Sequence, residues 1–279
     1  MEKKPLGDSG LEVSSVGIGC MMFGLMCDQD QTTAIVDAAI DAGINFFDTA
    51  DISGGPHGKS EALLGKALGA RRQDVIVGTK FGAGGGGAAE GGGTRQYIMT
   101  AVEKSLELLG TDYIDLYQIH RFDPTVPIEE TLDTLSRLVD DGKVRYLGAS
   151  SMYSWQFAQY LALADARGWH RFSAMQNYYN LLYREEEREM LPLCRQEGIA
   201  VIPWSPLARG YLAREHFDDK QNTTRGQTDD FAEGLYTAEA DAQVIERNAA
   251  VARELGVRPA QTALAWLLAQ EGVLSLIHI

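Results

Sequence analysis

The chain has 279 residues, of which 45% are hydrophobic and 23% charged. This composition is typical of a globular protein and argues against an intrinsically disordered chain. Lys and Arg number 25 against 39 Asp and Glu, which gives a formal net charge of −14, and no basic stripe interrupts this acidic balance. We therefore expect no binding to nucleic acid or to an anionic membrane surface, and we predict a small molecule as the partner.

The cysteines and the N-terminal residues indicate a compartment. Cys20, Cys27 and Cys194 do not form C-x-x-C pairs, which argues against a disulfide framework and against a zinc site. The chain begins with polar and turn residues rather than an apolar signal segment, and it contains no run of about 18 apolar residues. These features predict a cytoplasmic protein without a metal.

Short apolar runs alternate with amphipathic stretches, as a parallel sheet with crossover helices requires. The predicted strands are 16–19, 45–48, 75–80, 114–120, 146–150, 174–177 and 200–204. The predicted helices are 32–42, 60–68, 97–109, 128–139, 185–197, 240–255 and 259–271. Several of these helices are followed by glycine, a common residue just beyond a helix C-terminus.

Repeated βα units of this length predict a single-domain (β/α)₈ TIM barrel, with a doubly wound open sheet as the alternative. The open sheet would carry G-x-G-x-x-G after its first strand, but a cysteine and two methionines follow Gly19. A literal match does occur within the glycine-rich run 82–93, which we interpret as a flexible loop. The segments 82–96 and 212–237 follow predicted strands three and seven, at the face where barrels build active sites.

Three predicted strands end in ionisable residues, namely Asp48, Lys80 and His120. Taken singly, each has an ordinary structural interpretation: a turn-capping acid, a solvated lysine and a core histidine. Because the carboxyl ends of parallel strands meet at one mouth of a barrel, we expect the three side chains to converge there. An acid, a cation and an imidazole in one mouth indicate a reaction site.

Several segments around these residues resemble the aldo-keto reductases, and most of all the bacterial members related to the potassium-channel β subunits. The resemblance runs in unbroken order from about residue 4 to residue 273. The segments that carry it are 48–51 (DTAD), 60–68 (SEALLGKAL), 79–80 (TK), 112–120 (DYIDLYQIH), 142–145 (GKVR) and 204–207 (WSPL).

The resemblance implies a barrel that binds NADPH and reduces aldehydes or ketones to alcohols. The family's catalytic tetrad is Asp, Tyr, Lys and His, and its Asp, Lys and His positions fall on Asp48, Lys80 and His120. The cofactor supplies hydride, Lys80 places a positive charge beside Asp48, and His120 orients the substrate carbonyl.

The resemblance also implies cofactor-binding residues. Ser150 and Ser151 fall on the pair near the nicotinamide carboxamide, although the second is commonly Asn, and Gln176 matches the amide partner. Trp204 takes the position that stacks on the nicotinamide ring. Considered without the resemblance, this tryptophan would be interpreted as a buried core aromatic. The loop over the pyrophosphate corresponds to Ser205, Pro206, Leu207, Arg209 and Gly210.

The sequence departs from the family at the tetrad tyrosine, five residues after the Asp, where this chain has Ser53. A serine hydroxyl is shorter than tyrosine by a phenyl ring and far less acidic than a phenol, whose pKa is about 10. Ser53 therefore cannot replace the proton donor without a bridging water. We expect carbonyl reduction to be impaired, whether the serine is natural, engineered or a sequence error.

The second departure is the C-terminal hexapeptide 274–279, which equals the in-frame translation of a sequencing-library adapter. We therefore expect a barrel domain over 1–273 and a non-native tail over 274–279. The eighth strand and the C-terminal helix would then be incomplete, and the residues that distinguish NADP from NAD would be missing. A genuine short strand in the eighth barrel position is the alternative interpretation.

The leading functional hypothesis is thus an NADP-dependent oxidoreductase acting on a small carbonyl substrate. A catalytically inactive, nucleotide-binding regulatory subunit is the second hypothesis, which Ser53 would permit. A lyase or isomerase using Lys80 as a Schiff base is the third, and the 204–207 segment argues against it. The sequence indicates neither the physiological substrate nor the oligomeric state.

Overall fold

Strands and helices alternate along the chain, as the sequence predicts. The computed structural model describes residues 1–55, 58–84, 87–222, 229, 232 and 234–278. In these residues the strands are β1 (Lys3–Pro5), β2 (Glu12–Ser14), β3 (Val16–Gly19), β4 (Phe46–Asp48), β5 (Ile76–Phe81), β6 (Ala83–Gly84), β7 (Gly87–Ala88), β8 (Ile114–Ile119), β9 (Val144–Ser150), β10 (Phe172–Gln176), β11 (Ala200–Val201) and β12 (Leu276–His278). The α-helices are α1 (Gln29–Asp41), α2 (Lys59–Leu68), α3 (Arg95–Leu109), α4 (Ile128–Asp140), α5 (Ser154–Arg167), α6 (Met190–Gln196), α7 (Ala238–Leu255) and α8 (Pro259–Leu268).

The central sheet has eight strands in the order β11-β10-β9-β8-β5-β4-β3-β12, and every pairing within it is parallel. Its two edge strands approach each other, because isolated parallel bridges join Val201 to Val273 and Trp204 to Ile277. The Ile277 N–H donates to the Pro203 carbonyl at 2.9 Å. The sheet therefore curls into a TIM-like α/β barrel, not the doubly wound alternative.

The eighth barrel position is filled by the C-terminal segment. Strand β12 pairs with β3 in register from Leu276 opposite Val16 to His278 opposite Ile18. Leu276 is fully buried and Ile277 is 1% exposed, so the apolar character of this segment accounts for its fit. The arrangement agrees with the short-strand interpretation, whereas the origin of these residues stays a prediction.

The two-residue alternation of the strands separates two apolar cores and places the polar layer. Phe46, Ile76, Leu116 and Ala174 face the barrel interior, together with Leu6 and other residues of one buried cluster. The residues that follow them in each strand belong to the core between the sheet and the helices: Phe47, Val77, Tyr117 and Met175. One step further along each strand, the side chain faces inward again, above the apolar interior.

Two predicted elements differ because of proline. The predicted helix 185–197 is a 3₁₀ helix, Glu185–Glu187, followed by the shorter α6. Pro192 cannot lie deep inside an α-helix, since its ring clashes with the carbonyl four residues earlier, so α6 begins at Met190. The predicted strand 200–204 is regular only over β11, because Pro203 has no N–H to continue the ladder.

The two loops at the C-terminal face are more regular than expected. Within the glycine-rich run, β6 and β7 form a short antiparallel hairpin; residues 85 and 86 lie outside the described part of the chain. The segment 212–237 overlaps two 3₁₀ helices, Ala208–Ala213 and Phe217–Asn222. Residues 223–228, 230, 231 and 233 of that segment are likewise not described.

A glutamate of α2 is buried beside the barrel. Glu61 is 1% exposed and accepts a hydrogen bond from Thr79 Oγ1 at 2.6 Å. It lines a cavity of about 650 Å³ between α2 and α3, together with Asp51 and Tyr97. Burial raises the pKa of Glu61 from its ordinary value to about 7.

We expect Glu61→Gln to flatten the decline of stability between pH 5 and pH 8. A carboxyl whose pKa is higher in the folded state than in the unfolded state lowers the free energy of unfolding as pH rises from the unfolded pKa to the folded one. For Glu61 this loss is on the order of 2–3 kcal/mol. Urea unfolding of the parent and the variant at both pH values measures this loss. An equal decline of the free energy of unfolding from pH 5 to pH 8 in both proteins would contradict the prediction.

Candidate functional site

An acid and a lysine form an ion pair at the carboxyl ends of β4 and β5. Asp48 and Lys80 are 4% and 5% exposed, and Lys80 Nζ contacts Asp48 Oδ2. The same ammonium donates to the backbone carbonyl of Thr49 at 2.8 Å. Two acceptors, the Asp48 carboxylate and the Thr49 carbonyl, thus compensate the buried positive charge.

The second oxygen of the acid is held by two amide side chains. Asp48 Oδ1 accepts hydrogen bonds from Gln118 Nε2 at 2.9 Å and from Gln176 Nε2 at 3.0 Å. These glutamines come from β8 and β10, which lie two and four strands from β4 in the sheet. Gly148 makes room for Gln118, because a Cβ at that position would lie 2.7 Å from Gln118 Cγ.

The histidine at the end of β8 is held in a neutral form. Burial lowers the pKa of His120 well below its ordinary value, and the charges of Lys80 and Arg121 lower it further. Its Nδ1 is buried, and no described residue forms a hydrogen bond with it. At neutral pH the ring therefore carries a single N–H and can orient a polar group without carrying a charge.

A cavity of about 300 Å³ lies over these residues at the mouth of the barrel. Most of the side chains that the sequence singles out meet in its wall. They are Asp48, Ser53, Lys80, His120, Ser150, Gln176, Trp204 and Arg209. The others, Ser151, Ser205, Pro206, Leu207 and Gly210, are not part of this wall.

Ser53 lies in the turn after β4, and it is 8% exposed. Its N–H donates to the Ala50 carbonyl at 3.0 Å, and its own carbonyl accepts from the Ser60 N–H at 3.1 Å. The backbone of this position is therefore fixed between β4 and the start of α2. The side chain faces the cavity that Lys80 and His120 also line.

Trp204 has one ring face against the protein. Its indole stacks on Tyr178 with ring centroids 4.5 Å apart and an interplanar angle of 24°. The indole Nε1 donates to Ser151 Oγ at 2.9 Å, which fixes the ring in its plane. Trp204 is neither fully buried nor exposed, so a flat ligand can contact the ring from the cavity.

Strained backbone marks the two loops that flank this tryptophan. In the described part of the chain, the non-glycine residues with positive φ are Ser151 (39°), Ser205 (52°), Ala208 (50°) and Arg209 (53°). A non-glycine residue costs energy in this conformation, and such residues cluster at ligand-binding sites. Sequence patterning gives no sign of this strain.

Arg209 is tied to Asp229 by two parallel bonds. Nε and Nη2 donate to the two carboxylate oxygens at 2.7 and 2.8 Å, and both side chains are about 10% exposed. Such bidentate pairs fix orientation as well as charge. The pair therefore holds the 208–213 segment against the side of the cavity.

Gln118, Gly148 and Arg121 are parts of this site that the sequence arguments do not single out. Gln118 could be found from the strand alternation, because Leu116, Gln118 and His120 share one face of β8. Gly148 and Arg121 depend on contacts between different strands and loops, which no local pattern reveals.

The described residues contain no helix long and apolar enough to cross a bilayer. In that same part of the chain, no three or more His, Cys, Asp or Glu side chains are grouped to hold a metal ion. The three cysteines are free.

Comparison with known proteins agrees with this geometry. The pattern of the aldo/keto reductase family matches residues 15–278. The chain is 42% identical to a versiconal hemiacetal acetate reductase of Aspergillus parasiticus, over 96% of this chain and 85% of that protein. It is 40% identical to an aldo-keto reductase of Fusarium vanettenii (96% and 80% covered) and to one of Alternaria alternata (94% and 79%).

A TIM-like barrel with an acid, a lysine and a histidine at its mouth defines the class, and the comparisons define the family. The chain belongs to the aldo/keto reductase family. Membership supports an oxidoreductase, and members of this family generally use NAD(P)H.

Proposed function

We propose that this protein is an NADP-dependent oxidoreductase that reduces a small aldehyde or ketone to the alcohol. The observation that carries the proposal is the meeting of Asp48, Lys80, His120 and Trp204 in one cavity. When bound, NADPH supplies the hydride for this reaction. The relatives named above as reductases support the same chemistry.

The charge and hydrogen bonds of the site fit carbonyl reduction. Lys80 Nζ, held by Asp48 and the Thr49 carbonyl, keeps a positive charge where a carbonyl oxygen gains negative charge. His120 lines the cavity in neutral form. Because its Nδ1 is buried, we assign Nε2 as the atom that binds the carbonyl oxygen. Together the two side chains orient and polarise the substrate.

The residues present fit a nicotinamide nucleotide. Trp204 offers a ring to stack on, and the left-handed residues lie in the loops beside this ring, where Arg209 lines the cavity. Both side-chain hydrogen bonds of Gln176 to described residues use Nε2, so Oε1 is the atom available to a carboxamide N–H. We assign cofactor binding to Trp204 and Gln176, and also to Ser150, Ser151, Ser205, Pro206, Leu207, Arg209 and Gly210.

Ser53 favours a second candidate function. Without a phenol at this position, the protein lacks the acid that would protonate the product oxygen, and turnover is expected to be weak. A catalytically inactive protein that binds the nucleotide and regulates a partner would keep the same cavity.

For either of the two functions we propose a cytoplasmic location, because the cysteines are free.

Oxidation of bound cofactor by an added aldehyde separates the two functions. The protein is loaded with one equivalent of NADPH, 4-nitrobenzaldehyde is added, and the nicotinamide absorbance is followed. Slow oxidation at the rate of alcohol formation supports the reductase. Stoichiometric binding without oxidation supports the regulatory protein.

We expect Trp204→Ala to weaken NADPH binding by about fivefold, because an aromatic face on a flat ring contributes on the order of 1 kcal/mol. The variant leaves Asp48, Lys80 and His120 in place. Calorimetric titration measures the change, with Trp204→Phe as the matched control that retains a ring. Equal affinities of the parent and the alanine variant would place the nicotinamide elsewhere.

A further inference from the structure

A second cavity of about 460 Å³ adjoins the first one at the mouth of the barrel. Arg121 and Trp204 line both cavities, so the two are neighbours along a common wall. We call the second cavity the aromatic groove, because five of its eleven lining residues are aromatic: Phe122, Tyr153, Tyr178, Tyr183 and Trp204. The groove suits the flat or apolar body of a ligand whose reactive end reaches His120.

Arg121 brings a positive charge to this shared wall. Its guanidinium is half-buried, and Nη1 donates to the His120 carbonyl at 2.7 Å. Of the described residues, none places a carboxylate within 4 Å of it, whereas Arg209 in the same cavity is paired with Asp229. Burial lowers the pKa of Arg121, but a guanidinium stays protonated at neutral pH.

The other charges of the first cavity cancel. Lys80 is neutralised by Asp48, Arg209 by Asp229, and His120 is uncharged at neutral pH. A half-buried charge without a partner is costly, and an anionic ligand removes that cost. In a chain with a net charge of −14, a positive group with no carboxylate partner among the described residues gives a local preference for an anion.

We propose that Arg121 binds the carboxylate of the substrate, so that the substrate is a carbonyl compound with an aromatic or apolar body and an anionic group. This inference rests on the proposed reductase function and names its substrate class. Two donors of a guanidinium can bind both oxygens of a carboxylate in one plane, which a lysine cannot do. Arg121 thus acts as a specificity residue beside the reacting centre.

Glu186 lies in the wall of the same groove and tunes this preference. It accepts a hydrogen bond from Asn177 Nδ2 at 2.9 Å. Burial raises its pKa to about 7, so a substantial fraction is neutral at neutral pH and repels an anion less than a free carboxylate would. Glu186→Gln removes the remaining repulsion while keeping the side-chain shape.

The test compares an anionic probe with its neutral counterpart in binding and in turnover. Benzoate and benzamide are titrated by calorimetry, and 4-formylbenzoate and methyl 4-formylbenzoate are assayed with NADPH. We expect Arg121→Met to weaken benzoate binding, and to raise KM for the formylbenzoate anion, by about 10- to 100-fold, the range for a charged hydrogen bond. Benzamide and the methyl ester should change by less than about threefold, since they lack the charge.

Two further variants sharpen the result. Arg121→Lys should retain part of the benzoate affinity, and Glu186→Gln should tighten benzoate but not benzamide. Equal losses for benzoate and benzamide in Arg121→Met, or no loss for either, would overturn the proposal. If neither aldehyde is reduced by any variant, the reductase function fails, whereas the benzoate titration still decides the role of Arg121.

Discussion

Ser53→Tyr should raise the rate of aldehyde reduction by about 10²- to 10⁴-fold, the usual contribution of a positioned general acid. Ser53 faces the cavity that Lys80 and His120 line, and a tyrosine there places a phenol beside the lysine ammonium. The ammonium favours the phenolate and so makes the phenol a stronger acid for the product oxygen. Steady-state reduction of 4-nitrobenzaldehyde by NADPH measures the gain.

Ser53→Phe is the matched control for this prediction. It adds the same ring without the hydroxyl, so any gain from packing or from exclusion of water would occur in both variants. A rate increase confined to the tyrosine variant assigns the effect to proton transfer. If NADPH binds equally to parent and variant and the rates are also equal, the acid lies elsewhere.

Lys80→Met and His120→Ala, made in the Ser53→Tyr protein, should each lower kcat by at least about 10²-fold. Their side chains act on the carbonyl oxygen, whereas the proposed nucleotide contacts lie on other residues. NADPH affinity should therefore stay within about threefold of the value before either substitution. Single-turnover rates and calorimetry give the two quantities separately.

The lysine variant needs a control for folding. Removing Lys80 leaves Asp48 buried with only amide donors, which destabilises a protein by several kcal/mol. The double variant Asp48→Asn, Lys80→Met removes both charges and should recover much of that stability without recovering the rate. Unchanged turnover in Lys80→Met or in His120→Ala would remove that residue from the mechanism.

The sequence predicts the barrel because its signals are local. Short apolar runs that alternate with amphipathic helical stretches indicate parallel strands, and the ionisable residue at each strand end is then expected to face the same mouth. Asp48, Lys80 and His120 meet in the structure for this reason. The resemblance adds Ser53 and Trp204 to the same cavity, where the structure also places them.

The rest depends on contacts between distant segments or on backbone strain. Gln118 reaches Asp48 two strands away because Gly148 leaves room for it. The alternation of β8 places Gln118 on the inward face, but neither this contact nor the need for glycine at position 148 has a local signal. That Arg121 has no carboxylate partner among the described residues is visible only once its surroundings are known. Pro192 is a local signal against a long helix, but a prediction made from helix periodicity alone does not take it into account. The predicted helix 185–197 is therefore longer than α6.

Transfer of deuterium from NADPH labelled at its reactive carbon tests the central claim most directly. The Ser53→Tyr protein and its Lys80→Met derivative are each loaded with labelled cofactor and given 4-nitrobenzaldehyde. The account predicts one deuterium at the carbinol carbon of the alcohol from the first protein and very little labelled alcohol from the second. Equal labelling by both proteins, or none by either despite bound cofactor, would contradict it.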